Sequence, residues 1–197
     1  MASIVALEIA DPPAAWAELG FTVENGVCGI DGVAYVLDGA GAGVVSWTVA
    51  GLDGAGVDGL PDGPSAALPP PAAHPNGVVA LDHLVISTPN LGRTIERFEA
   101  AGLELRRTRD AGRIHQAFFK AGTVVLEVIG PPQPNGDGPA RFWGLAWTVA
   151  DLAATAAFLG DRLHAAKDAV QKGRQIATLD KQAGSTVAHA FMSPEPR

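Results

Sequence analysis

One supersecondary unit recurs along these 197 residues, and that repetition constrains the fold more than any single residue does. The clearest copy begins near Val78. In "LDHLVIST", Leu84 and Ile86 fall on one face of a strand and His83, Val85 and Ser87 on the other. Pro89 and Asn90 then start a helix whose apolar positions Leu91, Ile95, Phe98 and Ala101 make one stripe. Gly102 stands where a left-handed helix end is wanted. The strand-like segments "LELRRT", "RIHQAFFKAG" and "GTVVLEVIG" follow, the last two joined by a Lys-Ala-Gly turn. The order is βαβββ.

A second copy follows. "GLAWTVADL" matches "HLVISTPNL", the stripe Leu152, Ala156 and Leu159 repeats the helix, and "STVAHAFMSP" matches "TVVLEVIGPP". A shorter version precedes both, with a truncated helix around Trp16 and Leu19, the closing Gly20, and strands "GVCGI", "VAYVLDG" and "GVVSWTVAG". The expected organisation is a truncated βαβββ-like unit over 1–52, a Gly/Pro-rich linker over 53–77, and two full units, A over 78–132 and B over 140–195. The linker assignment rests on composition, which favours extended backbone and offers little to bury.

Hydrophobic residues make up 47% and charged residues 18%, the balance of an ordinary soluble globular protein. A net charge of -7 argues against nucleic acid as a partner. The arginines at 106, 107, 109 and 113 read as a solvated strand edge rather than a phosphate site. Cys28 is the single cysteine, which excludes an intrachain disulfide and a thiolate zinc site, and it reads as a small core residue. "MASIVALEIADPP" lacks the layout of a secretion signal and no apolar run reaches membrane-spanning length. A cytoplasmic protein without a membrane partner is expected.

The repeated unit, with "DHLVI", "LEVIGP" and its helix-closing glycine, resembles the vicinal oxygen chelate superfamily, the glyoxalase, bleomycin-resistance and extradiol-dioxygenase group. The resemblance covers Val78 to Pro194 well and the first unit loosely. It implies an α+β fold in which repeated βαβββ units form a cupped mixed sheet. It also implies a divalent metal (Fe, Mn, Ni or Zn) held by the first and fourth strands of each unit. By position, His83 and Glu127 match those places in unit A. Unit B departs: Gly144 stands at its first-strand place. At its fourth-strand place, alignment on Gly122 and Gly184 selects His189, whereas alignment on the closing prolines selects Ala190. Alternation puts Val187, His189 and Phe191 on one face, and the small residues of the other suit packing beneath the helix, so His189 is expected to face the cup.

His83, Glu127 and His189 are therefore the candidate metal ligands, with Glu127 also the candidate proton shuttle. Gln116, Phe118, Arg141 and Trp143 are candidate substrate contacts, with Trp143 an aromatic wall and Arg141 a carboxylate partner. Trp147 reads as core, and His74, His115 and His164 have no evident partner. The resemblance implies a glyoxalase-like small-molecule protein. One reading is a divalent-metal-dependent lyase or isomerase, or a dioxygenase, acting on vicinal oxygens. The other is a metal-free, drug-sequestering binder. A homodimer is expected because an unpaired N-terminal unit would leave a sheet edge and one face uncovered.

Overall fold

The computed structural model describes residues 1–37, 41–52, 56–63 and 65–196. Its elements run β1 (Ser3–Ile9), α1 (Pro13–Glu18), β2 (Val27–Ile30), β3 (Val33–Leu37), β4 (Val44–Ala50), β5 (Val78–Ser87), α2 (Leu91–Ala100), β6 (Leu105–Asp110), β7 (His115–Ala121), β8 (Val124–Gly130), β9 (Arg141–Val149), α3 (Leu152–Leu159), β10 (Lys167–Asp168), β11 (Gln175–Thr178) and β12 (Ala188–Met192). Units A and B have the expected βαβββ order and join into one eight-stranded mixed sheet, β10-β11-β12-β9-β5-β8-β7-β6. In each unit the first strand runs parallel to the fourth, β5 with β8 and β9 with β12, and the two first strands meet antiparallel at the centre. The fold is the α+β arrangement that the repeat implies.

Local chemistry sets the helix ends. The Asn90 side chain accepts from the Arg93 amide at 3.1 Å, and Asp151 accepts from Ala153 and Ala154. Helix α2 closes at Gly102 with φ 90°, a conformation that a Cβ would strain. The apolar faces of both helices and one face of the sheet enter a common core containing Leu84, Phe98, Phe119, Leu126, Trp147 and Phe191.

The N-terminal strands form a separate four-stranded sheet, β2-β3-β1-β4. Here β3 takes the parallel place beside β1, while β4 lies antiparallel on the other side. That is the relation β9 has to β5. Trp47 of β4 in turn makes a parallel bridge to Asp62, with the Trp47 amide donating to the Pro61 carbonyl and the Gly63 amide to the Trp47 carbonyl. So β4 behaves as the first strand of a further, severely shortened unit. Its helix is reduced to one 3-10 turn at Val57–Gly59, and its last strand to a single bridge.

This pairing also corrects part of the linker expectation. Residues 57–63 are built into the fold: Leu60 is 0% exposed, Val57 is buried, and Asp58 pairs with Arg93 at 2.8 Å. Composition misled because two apolar side chains among glycines suffice when the groove already exists. The smaller sheet also buries its face within the chain, with Tyr35 and Trp16 centred 5.1 and 6.0 Å from Trp147 and Trp47 5.5 Å from Phe142. The face of the smaller sheet that carries Tyr35 is thus covered within the chain, while β2 remains at a sheet edge.

Leu60→Ala is expected to cost about 2–5 kcal/mol in urea unfolding, the range for a truncated core leucine. A loss below about 0.5 kcal/mol, typical of a surface change, would show that this segment does not pack.

Candidate functional site

The face of the large sheet turned away from the core is the cup face, and strand register arranges it in three rows. The first runs Arg107, Phe118, Glu127, Val85, Gly144, Ala188. The second runs Arg109, Gln116, Ile129, Ser87, Arg141. The third runs Lys120, Val125, His83, Ala146, Ala190, Thr178. Residues directly opposite in paired strands share a face, so His83 and Glu127 project to the same side from adjacent strands, two positions out of register. From the strand spacing and rise, their Cα atoms stand roughly 8 Å apart.

His83 sits in a polar cluster on this face. Its Nδ1 donates to Asp82 Oδ1 at 2.6 Å. The other Asp82 oxygen accepts from Arg174 Nη2 at 2.6 Å and from the Thr148 hydroxyl at 2.6 Å. Arg174 is 4% exposed and its Nε donates to the Ser193 carbonyl. Burial alone would raise the Asp82 pKa, but hydrogen bonds from His83, Arg174 and Thr148 outweigh it and hold the carboxyl well below its ordinary range. Asp82 is therefore an anion that fixes the His83 ring through Nδ1, and Nε2 has no hydrogen-bond partner among the described residues.

Simple alternation puts Asp82 on the core side. A register shift between Leu81 and His83 turns it onto the cup face. Its position directly before His83 was the available sequence signal. Arg174, 92 residues away in a turn, had none.

The second cluster joins neighbouring rows. Gln116 Nε2 donates to Glu127 Oε1 at 2.5 Å, while Gln116 Oε1 is buried without a partner. That orphan acceptor calls for a donor such as a ligand hydroxyl. Phe118 lies on the same face beneath Arg107, whose guanidinium is 4.4 Å from the ring centroid. Arg141 stands opposite Ser87 at the end of a row. Trp143, 60% exposed, occupies the irregular step between Phe142 and Gly144.

Unit B overturns one expectation. About the centre of the β5–β9 pair, His83 and Gly144 are equivalent positions, and so are Glu127 and Ala190. His189 points into the core instead and is 3% exposed, with ring centroids of Trp16, Phe21, Trp147 and Phe191 between 5.5 and 6.4 Å away. Small residues do not mark the core side of β12, because that side is covered by the aromatic N-terminal unit as well as by a helix. Trp147, as expected, is core.

Trp147 Nε1 donates to His189 Nδ1 at 2.9 Å, so the neutral ring carries its proton on Nε2, which faces Ser185 Oγ at 2.9 Å. Ser185 donates to Asp11, which also accepts from Trp16 and Thr186. His189 is thus structural, not a ligand. Gly144 is also closed to a side chain, since a Cβ there would lie 2.7 Å from the Ala188 carbonyl oxygen.

The donors present therefore do not make the set implied for a divalent metal. Among the described residues, no three His, Cys, Asp or Glu side chains group to hold an ion. Of the remaining candidates, the Cys28 thiol is buried and pushed up to about 12, which makes it inert. His74 accepts from the Thr22 amide, and His115 and His164 lie 3.4 and 3.6 Å from Asp110 and Asp180. The larger surface hollow, about 550 Å³, lies elsewhere, between Asp58 and helix α2. A smaller one, about 340 Å³, borders Arg109 and Gln116 where α2 begins. No described helix is long and apolar enough to cross a membrane.

Fold and register together define a paired-βαβββ protein with one face of its large sheet left open by the core. Residues 82–178 match the model of the Glyoxalase/Bleomycin resistance protein/Dioxygenase superfamily. Among solved structures, methylmalonyl-CoA epimerase from Mycobacterium tuberculosis is similar at TM-score 0.50 and 20% identity, over 61% of this chain and 91% of that one. A variant of the Streptomyces coelicolor methylmalonyl-CoA epimerase, in complex with 2-nitronate-propionyl-CoA, is similar at the same score and identity, over 60% and 99%. These likenesses concern the fold. No curated protein sequence matches the chain.

Burial drives the His189 pKa down from 6.5 to about 4, with the Asp11 charge opposing weakly. A depressed histidine favours its neutral form in the fold, so its contribution is complete above pH 6.5 and is lost as pH falls from 6.5 through 4. Urea unfolding is expected to weaken by on the order of 2–3 kcal/mol across that window. His189→Asn should flatten the slope; an unchanged slope would contradict the assignment.

Proposed function

We propose that this chain is a glyoxalase-like small-molecule-binding protein that holds its ligand on the cup face without a multi-donor metal centre. The observation that carries the reading is the pair Gly144 and Ala190 at the two unit B positions equivalent to His83 and Glu127. Unit A then supplies the polar contacts: His83 Nε2, the Glu127 carboxylate, and the unpartnered Gln116 oxygen, which suits a ligand hydroxyl. Val85, Val125, Ile129, Phe118 and the small side chains of unit B offer an apolar surface beside them. Trp143 stands at the end of the face as an aromatic wall, with Arg141 beside it.

One observation favours a second reading, a divalent-metal-dependent lyase or isomerase acting on vicinal oxygens. His83 has one ring nitrogen tied to a carboxylate and the other free, the orientation common to metal-bound histidines. In that reading His83 and Glu127 hold the ion and Glu127 also moves the proton.

Elemental analysis of the chain purified without chelator, with calorimetric titration of Fe(II), Mn(II), Ni(II) and Zn(II), separates the two. The expected result is no stoichiometric metal and no difference between the native chain and His83→Ala. Planar ligands should quench the fluorescence of Trp143, and Trp143→Phe should remove that quenching. Stoichiometric metal lost in both His83→Ala and Glu127→Gln would overturn the binder reading.

A further inference from the structure

The charges of the cup face identify the class of ligand, and this inference rests on the binding reading above. All three rows end on a cation at the β6–β7 side: Arg107, Arg109 and Lys120. Arg141 closes the second row at the other end, opposite Ser87. None of these four forms an ion pair with a carboxylate among the described residues. Among the described residues, the acidic groups on the same face are Asp82, held by His83, Arg174 and Thr148, and Glu127, which accepts from Gln116. A chain of net charge -7 thus carries more cations than anions on the one face that the core does not use.

A solvated edge does not account for this arrangement. β6 is an edge strand, and its arginines could point to either side. The register shift between Leu105 and Arg107 sets Arg107 over Phe118 and Arg109 opposite Gln116, while Arg106 turns to Glu104 at 2.9 Å. Arg107 thereby lies over the apolar ring of Phe118. Cations therefore sit beside apolar surface, where a partly desolvated anion binds them most strongly.

We propose that the cup face binds an organic monoanion, a carboxylate carried on an aromatic or branched apolar body. The anionic group lies against Arg107, Arg109 and Lys120. The body lies over Phe118, Val125 and Ile129 toward the shallow floor left by Ala146 and Ala190.

Titration of the full chain with 2-naphthoate and with its neutral isostere 2-naphthamide, read by tryptophan fluorescence and calorimetry, tests this. The carboxylate is expected to bind about tenfold or more tightly, as charge-assisted hydrogen bonds require, and its affinity should fall with added salt. Arg107→Gln, Arg109→Gln and Lys120→Gln should each weaken the acid by about two- to fivefold and leave the amide unchanged. Ala190→Trp, which fills the floor, should abolish binding of both, with circular dichroism confirming the fold.

If both compounds bind equally and both are lost in Ala190→Trp, the anion inference falls while cup binding stands. Binding of neither compound, or acid binding untouched by Ala190→Trp, would overturn the inference together with the cup as the site.

Discussion

What unit B presents on the open face of the large sheet follows from the parity of one short strand. β12 pairs in parallel with β9, so Ala188 and Ala190 lie beside Gly144 and Ala146, while His189 and Phe191 lie beside Leu145 and Trp147. Because side chains alternate with period two, a slip of one residue would exchange those sets entirely. The register is held from the core side, where burying His189, Phe191 and Trp147 against Trp16, Phe21 and Tyr35 outweighs anything the alanines offer. A histidine in a position that resembles a ligand is thereby given a structural task. Its ring accepts from one tryptophan and connects through Ser185 to Asp11, which joins the N-terminal unit to unit B.

The consequence is a division of labour between two units of one architecture. Unit A keeps polar groups on both its first and fourth strands and adds Gln116 beside them. Unit B has given up side-chain donors at both equivalent places and returns a different contribution. Arg174, from its turn between β10 and β11, crosses to Asp82 and keeps that carboxylate charged. The anion in turn orients His83. The N-terminal part holds still shorter versions: a unit of three strands and a helix, then one of β4, a single turn and a bridge. What survives in each case is the part that covers apolar surface.

Much of this architecture was legible in the sequence because its signals are periodic. The stripe from Leu91 to Ala101, the alternation through His83, Val85 and Ser87, and the turn glycines each report local geometry, and repetition reports the topology. The shared face of His83 and Glu127 follows from the same periodicity. Three features were hidden for physical reasons. Asp82 reaches the face only through an irregularity in strand pairing, which no alternation rule anticipates. Arg174 meets Asp82 across 92 residues of sequence. The side taken by His189 depended on what covers that face, and the cover is a second sheet whose docking leaves no mark in the segment 185–194. The stretch 57–63 was misjudged on composition, since a bridge and one buried leucine need little sequence.

The most direct test of the central claim is a nitrogen–proton correlation spectrum of the histidine side chains, recorded near neutral pH before and after zinc is added. The account predicts that the His189 ring is a neutral Nε2–H tautomer with Nδ1 accepting a hydrogen bond, and that zinc leaves its resonances in place. A His189 resonance that changes tautomer or shifts in proportion to bound zinc would place that ring on the open face of the sheet and contradict the account.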